Sequence, residues 1–151
     1  MYKKRLKYLR EEMELKQVEI SKLLEFKDNV YSQFEREETI IPIKHLNTLC
    51  NYFDCSLDYI FEFTDTKKYK NMKKEINKEI SGKRLKEIRK ELNIKQYELA
   101  NLLNVDNSML SKYELGKYTI ATTYLYQICK KYNISADYLL GKIVNPKYLN
   151  K

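Results

Sequence analysis

The amino-acid sequence repeats itself once, and this repeat constrains the fold more than any other feature. Residues 5–62 and 84–141 align at an offset of 79 without a gap, and about 18 of the 58 aligned positions are identical. Most of the remaining apolar positions stay apolar. Because two copies are too few for a solenoid, we expect two homologous domains, each of roughly 60 residues, joined by a linker.

Each copy contains few residues that form turns. The 151-residue chain has 3 glycines and 2 prolines, which is about a quarter of ordinary usage. A β-sandwich or barrel needs a turn every 8–12 residues or so, and this composition therefore favours helices. In the second copy Leu85, Ile88 and Leu92 recur with helical spacing. We predict an all-α fold with five short helices in each copy.

The sequence carries few of the residues that enzymes and metal centres need. It has one histidine and three cysteines, and His45, Cys50 and Cys55 lack the spacing of zinc ligands. Cys50 is better explained as a small core residue. There is no Gly-rich phosphate loop and no motif of paired catalytic carboxylates. We therefore predict that the protein is not an enzyme and has no catalytic site, metal site or cofactor.

The chain also lacks the usual signals for membranes and secretion. No apolar run approaches the roughly 18 residues that a membrane span needs. The basic N-terminus lacks the apolar segment of a signal peptide. Without such a peptide, an odd number of cysteines is typical of a reducing compartment. We expect a cytoplasmic protein with no membrane partner.

The most informative motif lies between Gln96 and Leu115. Ala100 is small where two helices would cross, and Asn104 stands at a turn that favours a left-handed backbone. The run RLKEIRKELNIKQYELANLLNVDNSMLSKYELGK, with the closing DYLLG, resembles the Cro/lambda-repressor-like helix-turn-helix family, also called the xenobiotic-response-element (XRE) family. This resemblance covers both copies, about 120 of the 151 residues. It implies two tandem five-helix lambda-repressor-like domains.

The resemblance assigns roles to residues of the second copy. It implies that the second helix of the motif, residues 107–115, enters the major groove of DNA. Asn107, Ser108 and Lys112 would then contact bases, and Asp106 would cap the helix. These residue types suit the role, because Asn can pair with adenine and Lys can reach the acceptors of guanine.

Two further groups of residues follow from the resemblance. Contacts to DNA phosphates are implied for Gln96, Lys117 and Tyr118. Arg89 and Glu114 resemble a pair that ties the first helix of the domain to the recognition helix. The same two residue types recur in the first copy, as Arg10 and Glu35.

The first copy departs from the family pattern. Glu25 replaces Asn104 at the turn, and Glu tolerates a positive φ poorly. Glu37 stands where the second copy has Gly116. We expect the acidic cluster at 35–38 to flank phosphates and to oppose DNA binding. Alignment places the candidate base contacts of this copy at Asp28, Asn29 and Gln33, and its candidate phosphate contacts at Gln17 and Lys27.

Charge is distributed unevenly along the chain. The net charge is +8, of which residues 1–64 carry −2, residues 65–81 carry +3 and residues 82–151 carry +7. We therefore predict that the second domain is the principal DNA-binding domain. The first domain would bind DNA weakly or contact a protein. A rival hypothesis is that each domain binds its own half-site.

These patterns divide the chain into a first domain at 1–64, a basic linker at 65–81, a second domain at 82–142 and a short tail at 143–151. Within the linker, apolar residues recur at intervals of three and four, which predicts an amphipathic helix. Its apolar stripe could pack on the protein's own domains or form a dimer seam. A monomer with pseudo-twofold tandem domains and a homodimer both remain open.

The predicted function is sequence-specific binding of double-stranded DNA by a transcriptional regulator of bacterial, phage or mobile-element origin, located at the nucleoid. Because no ligand or activation domain is visible, we favour a repressor. The alternative is an antitoxin-like or anti-repressor protein. In that case only one domain would bind DNA, and the acidic first domain would contact a protein partner.

Overall fold

A computed structural model describes residues 1–149 of the chain. Within these residues the chain forms ten α-helices in two compact units. The first unit ends at Lys70 and the second begins at Asn71. Each unit contains five helices, so the predicted all-α fold with two tandem five-helix domains is confirmed.

The helices of the first unit pack their apolar faces around one core. Leu6, Leu46 and Leu49 are fully buried there, as their helical spacing requires. Ser56 begins the last helix, where its hydroxyl accepts a hydrogen bond from the backbone N–H of Tyr59. The helices are α1 (Lys3–Glu12), α2 (Gln17–Leu23), α3 (Val30–Glu35), α4 (Ile43–Tyr52) and α5 (Leu57–Ile60).

The second unit repeats this arrangement. Leu110, Leu125 and Leu139 are fully buried in its core. Cys50 in the first unit and Cys129 at the aligned position of the second are both buried, which agrees with the interpretation of Cys50 as a core residue. The helices are α6 (Lys78–Glu91), α7 (Gln96–Leu103), α8 (Asn107–Glu114), α9 (Thr122–Tyr132) and α10 (Ala136–Leu139).

Each helix end is followed by a residue with a positive φ, and the five positions match between the two copies at the repeat offset of 79. The prediction for Asn104 is confirmed, with a φ of 56°. Glu25 adopts the same conformation, with a φ of 62°, although its side chain disfavours it. The second copy has Asn93, Asn104, Gly116, Asn133 and Gly141 at these positions, whereas the first has Glu14, Glu25, Glu37, Asp54 and Glu62.

The first helices of the two units differ in length. α6 begins at Lys78, one turn earlier than α1 in the alignment. Within α6, Gly82 lies very close to α8, because a Cβ there would lie 2.6 Å from the carbonyl oxygens of Tyr113 and Glu114 at the end of α8. The first copy has Lys3 at that position, and its helix starts there.

The predicted linker helix is wrong for residues 65–77, which are not helical. Only 78–81 are helical, and they belong to α6. The backbone of this segment bonds to the domains instead. Lys67 O accepts a hydrogen bond from Ser56 N at 2.7 Å, and Asn77 N donates one to Leu140 O at 3.0 Å. These tertiary bonds outweigh the local helical periodicity.

The C-terminal segment packs on the second unit in a similar way. Ser135 N donates a hydrogen bond to Lys147 O at 2.9 Å, and Leu149 N donates one to Asn133 O at 2.7 Å. The predicted tail at 143–151 is therefore part of the unit as far as residue 149, and its last two residues lie outside the described part of the chain. In both copies the residues after the fifth helix return to the loop before it.

Candidate nucleic-acid interface

The N-terminal end of α8 presents the three predicted base-contacting residues. Asn107 and Ser108 are exposed, and Lys112 is half-buried one turn further along. Asp106 caps the helix as predicted: it accepts hydrogen bonds from the Ser108 hydroxyl at 2.8 Å and from the Ser108 backbone N–H at 3.5 Å. The Ser108 hydroxyl lowers the pKa of the Asp106 carboxyl. A charged cap therefore faces the positive end of the helix dipole.

A chain of hydrogen bonds connects α6 to this helix end. The guanidinium of Arg89 binds the Glu114 carboxylate through two nitrogens, at 2.7 and 3.0 Å. Gln96 Nε2 donates to Glu114 Oε1 at 3.2 Å, and Asn107 Nδ2 donates to Gln96 Oε1 at 3.4 Å. The predicted pairing of Arg89 with Glu114 is present. It also orients Gln96, the predicted phosphate contact at the start of α7.

The other two predicted phosphate contacts lie in the loop after α8. Lys117 and Tyr118 are both exposed. The Lys112 ammonium lies 5.9 Å from the centre of the Tyr118 ring, and Lys117 N donates a hydrogen bond to Lys112 O at 3.0 Å. The structure therefore brings Lys112, Lys117 and Tyr118 together on the C-terminal side of the recognition helix.

The first unit builds the same buried ion pair. Arg10 binds Glu35 at 2.7 and 3.0 Å, while Gln17 and Tyr31 donate to the same carboxylate at 2.7 and 3.1 Å. Burial alone would raise the pKa of the Glu35 carboxyl, but the bonds from Arg10 and Gln17 hold it below its usual value. Gln17 is half-buried and occupies the same position as Gln96.

The recognition helix of the first unit is shorter than predicted. α3 begins at Val30, so only Gln33 of its predicted site residues is helical. Lys27, Asp28 and Asn29 are exposed in the turn before the helix. Lys27 replaces the Asp cap of the second copy, and no side chain caps α3, which explains the late start.

The carboxylates of the acidic cluster at 35–38 are each paired within the first unit, although Glu38 stays exposed to solvent. Glu35 is paired with Arg10 inside the unit. One oxygen of Glu37 accepts hydrogen bonds from the backbone N–H groups of Tyr2 and Lys3 at the start of α1, at 3.1 and 3.0 Å. The remaining carboxylate, Glu38, forms an ion pair with Arg36 at 2.7 Å.

Sequence reasoning missed a basic groove on the first unit. The groove has a volume of about 870 Å³ and is lined by Lys3, Lys4, Lys7, Lys16, Gln17 and Arg36, together with Arg10, Glu35 and Glu38. The signal was present in the repeat, because three of these lysines recur 79 residues later as Lys83, Lys86 and Lys95. The groove was not predicted because the net charge of residues 1–64 is negative.

Neither a cluster of metal-ligating side chains nor a membrane-spanning helix is found in the described part of the chain. Within residues 1–149, no three His, Cys, Asp or Glu side chains are grouped as a metal ion would require. No helix in the same range is long and apolar enough to cross a membrane.

Comparison with protein families finds one matching family model, described as helix-turn-helix. It matches the chain twice, at residues 6–60 and 85–139. The two matched ranges together cover more than half of the chain, and the second starts 79 residues after the first, which is the offset of the repeat. The first contains α2 and α3, and the second contains α7 and α8.

Two known proteins are similar to part of the chain. The HTH-type transcriptional regulator ImmR of Bacillus subtilis (strain 168) is 46% identical over 61 residues, which are 40% of this chain and 48% of that protein. The antitoxin PezA of Streptococcus pneumoniae serotype 4 (strain ATCC BAA-334 / TIGR4) is 34% identical over 67 residues, 43% of this chain and 42% of that protein. The chain therefore matches less than half the length of each relative.

Proposed function

We propose, since this chain belongs to the helix-turn-helix family, that it is a sequence-specific double-stranded DNA-binding protein that regulates transcription. The observation that carries this proposal is the N-terminal end of α8. There Asn107 and Ser108 are exposed beside Lys112, on a helix that Asp106 caps. Amide, hydroxyl and ammonium groups at such a helix end can bond to base edges in the major groove.

The surroundings of α8 suit the phosphate backbone on either side of a major groove. Gln96 lies at the start of α7, and Lys117 and Tyr118 follow α8. These groups would set the register of the domain, while α8 would discriminate between sequences. The net charge of +7 over residues 82–151 adds a favourable release of counterions.

The test is a double substitution in α8. Sites are first selected from random duplex DNA with the intact chain, and affinity is then measured for the selected duplex and a scrambled one. Asn107→Ala/Lys112→Ala should weaken binding to the selected duplex by about 1–3 kcal/mol for each base that is no longer bound, and should lower the preference over scrambled DNA. The control Asn101→Ala/Lys90→Ala changes the same residue types at exposed positions on α7 and α6. An unchanged preference in the α8 variant would contradict the proposed site.

Regulation in this proposal works by occupancy of the operator. The relative from Bacillus subtilis is named a transcriptional regulator, which supports this reading. We favour repression, with the protein at the nucleoid in the cytoplasm. No enzymatic step is part of the proposal. The protein should lower expression of a reporter gene placed downstream of the selected site. Increased expression would instead indicate an activator.

A second candidate function is an antitoxin-like role in which the first unit contacts a protein. It is favoured by the relative named an antitoxin and by exposed apolar side chains on this unit. Tyr8 and Met13 are 52% and 48% exposed, and both line a groove of about 250 Å³ beside α1. A stoichiometric partner should co-purify with the native chain. Tyr8→Ala/Met13→Ala should release it without weakening DNA binding.

A further inference from the structure

We propose that the basic groove of the first unit clamps the sugar-phosphate backbone of duplex DNA without reading its bases. The groove lies beside α1 and contains residues from the start of α2 and from the loop after α3. This inference rests on the proposed function, because it assumes that duplex DNA is the ligand of the chain. It gives the two units different tasks on that ligand.

Three lysines of the groove carry charge that the protein itself does not neutralise. The side chains of Lys3, Lys7 and Lys16 are exposed. In residues 1–149 no carboxylate lies within 4.0 Å of their ammonium groups. Lys3 and Lys7 are one helical turn apart on α1, so both can reach one strand of a polyanion.

The acidic groups of the groove are already paired. Glu35 is bound by Arg10, and Glu38 is bound by Arg36. Glu14 and Glu25 follow the ends of helices and do not line the groove. Glu62 is outside the lining too, but it lies 3.8 Å from the ammonium of Lys4. The net charge of −2 for residues 1–64 is therefore compatible with a positive binding face.

The groove suits a phosphate backbone better than base edges. Lysine is a point charge on a flexible stem that binds phosphate without a fixed geometry. Lys3 and Lys7 lie on α1 and Lys16 precedes α2, so none of the three belongs to α3, the helix that aligns with α8. The base-reading element of this unit is also reduced, because Asp28 and Asn29 precede α3 instead of forming its first turn. Affinity from the groove would therefore be independent of DNA sequence.

The repeat supports the same reading. Lys4, Lys7 and Lys16 have lysine counterparts at 83, 86 and 95. The two copies thus share cations on their first helix and before their second, although their net charges have opposite signs. What the first copy lacks is the capped recognition helix, which is the part that reads bases.

The test compares salt dependence in the full chain. Affinity for the selected and the scrambled duplex is measured between about 50 and 300 mM salt. Lys3→Gln/Lys7→Gln/Lys16→Gln should lower the slope of log affinity against log salt by up to about 2.7, at roughly 0.9 for each phosphate that is no longer neutralised. The affinities for the two duplexes should fall by the same factor. The control Lys22→Gln/Lys44→Gln/Lys70→Gln removes the same charge outside the groove and should change the slope far less.

The outcomes separate this inference from the proposed function. If the unaltered chain binds no duplex, the proposed function fails. If it binds and the groove variant keeps the slope of the control, the clamp is refuted and the function of α8 stands. A selective decrease in affinity for the chosen duplex would show base reading by the first unit and would also refute the clamp. Lys7→Gln alone, with an expected decrease of about 0.9 in the slope, gives the same test should the triple variant unfold.

Discussion

At the scale of single residues, the two copies differ most at the ends of their helices. Five aligned positions after the helix ends adopt a positive φ in each unit, and the first unit fills all five with carboxylates. A left-handed backbone costs an L-residue such as Glu roughly 1–2 kcal/mol, while Gly and Asn adopt it more easily. A negative charge at the C-terminal end of a helix also opposes the helix dipole. We therefore expect the first unit to be the less stable one.

Glu25 offers a direct test of this backbone strain. Its side chain is exposed, and Asn stands at the aligned position 104. We predict that Glu25→Asn stabilises the first unit by about 1 kcal/mol, measured by urea unfolding. The control Glu11→Asn removes the same charge from the last turn of α1, where φ is helical. It should stabilise less than Glu25→Asn, because it changes the interaction with the helix dipole but relieves no backbone strain. An unchanged or lower unfolding free energy for Glu25→Asn would contradict the backbone strain at this position.

His45 makes the first unit sensitive to pH. Its ring lies edge-on to Phe26, with centroids 4.7 Å apart. Burial, followed by the charge of Lys44, lowers the pKa of His45 below its ordinary value of about 6.5. The folded state thus favours the neutral ring. The contribution of the neutral His45 ring to the unfolding free energy is complete above about pH 6.5. It is lost as the pH falls through the lower pKa that His45 has in the folded state.

We therefore predict that the unfolding free energy of the first unit decreases as the pH falls below about 6.5. His45→Phe, which keeps a ring against Phe26, should remove most of this decrease in urea unfolding measured at several pH values. An equally steep decrease in the variant would assign the effect to other groups.

At the scale of elements, one close helix contact distinguishes the second unit. Gly82 in α6 faces the backbone at the end of α8, and a Cβ would lie 2.6 Å from two carbonyl oxygens. Neither backbone can move without disturbing the recognition helix.

We predict that Gly82→Ala lowers the stability of the second unit by about 1–3 kcal/mol, because it overpacks the helix contact. Differential scanning calorimetry of the full chain should show a lower melting transition for this unit and an unchanged one for the first. Lys83→Ala, at the exposed neighbouring position, is the control. Equal melting temperatures for the two variants would mean that the helices separate at little cost.

At the scale of the whole molecule, each unit includes the segment that follows its fifth helix. Residues 65–70 return to the first unit, where Lys67 O pairs with the N–H of buried Ser56 and the hydroxyl of Tyr69 donates to Asp58 at 2.9 Å. These bonds satisfy polar groups that would otherwise be buried without partners. The boundary of the unit therefore lies at residue 70.

We predict that a fragment of residues 1–70 is more stable than one of residues 1–64. Removing the bond to Ser56 N should cost about 1–3 kcal/mol, because a buried N–H is left unsatisfied. Urea unfolding of the two fragments measures the difference. Tyr69→Phe in the longer fragment tests the side-chain bond separately. Identical stabilities would indicate that residues 65–70 only rest on the surface.

The sequence by itself determined the local and periodic features of this protein. The repeat, the helical spacing of apolar residues, and caps such as Asp106 depend on nearest neighbours along the chain. The ten helices within residues 1–149 and the left-handed turn at Asn104 could therefore be predicted from them. The ion pair of Arg89 and Glu114 could also be anticipated, because the family resemblance supplied a pairing across 25 residues.

Only the tertiary structure decided which local tendencies survive. The amphipathic pattern at 65–77 is overridden by hydrogen bonds with Ser56 and Leu140, residues that are distant along the chain. The net charge of residues 1–64 did not predict the basic groove of the first unit. A sum of charges does not show that Glu35 and Glu38 are paired while Lys3 and Lys7 are not. Electrostatic interactions depend on distances in space, and those distances are set by packing.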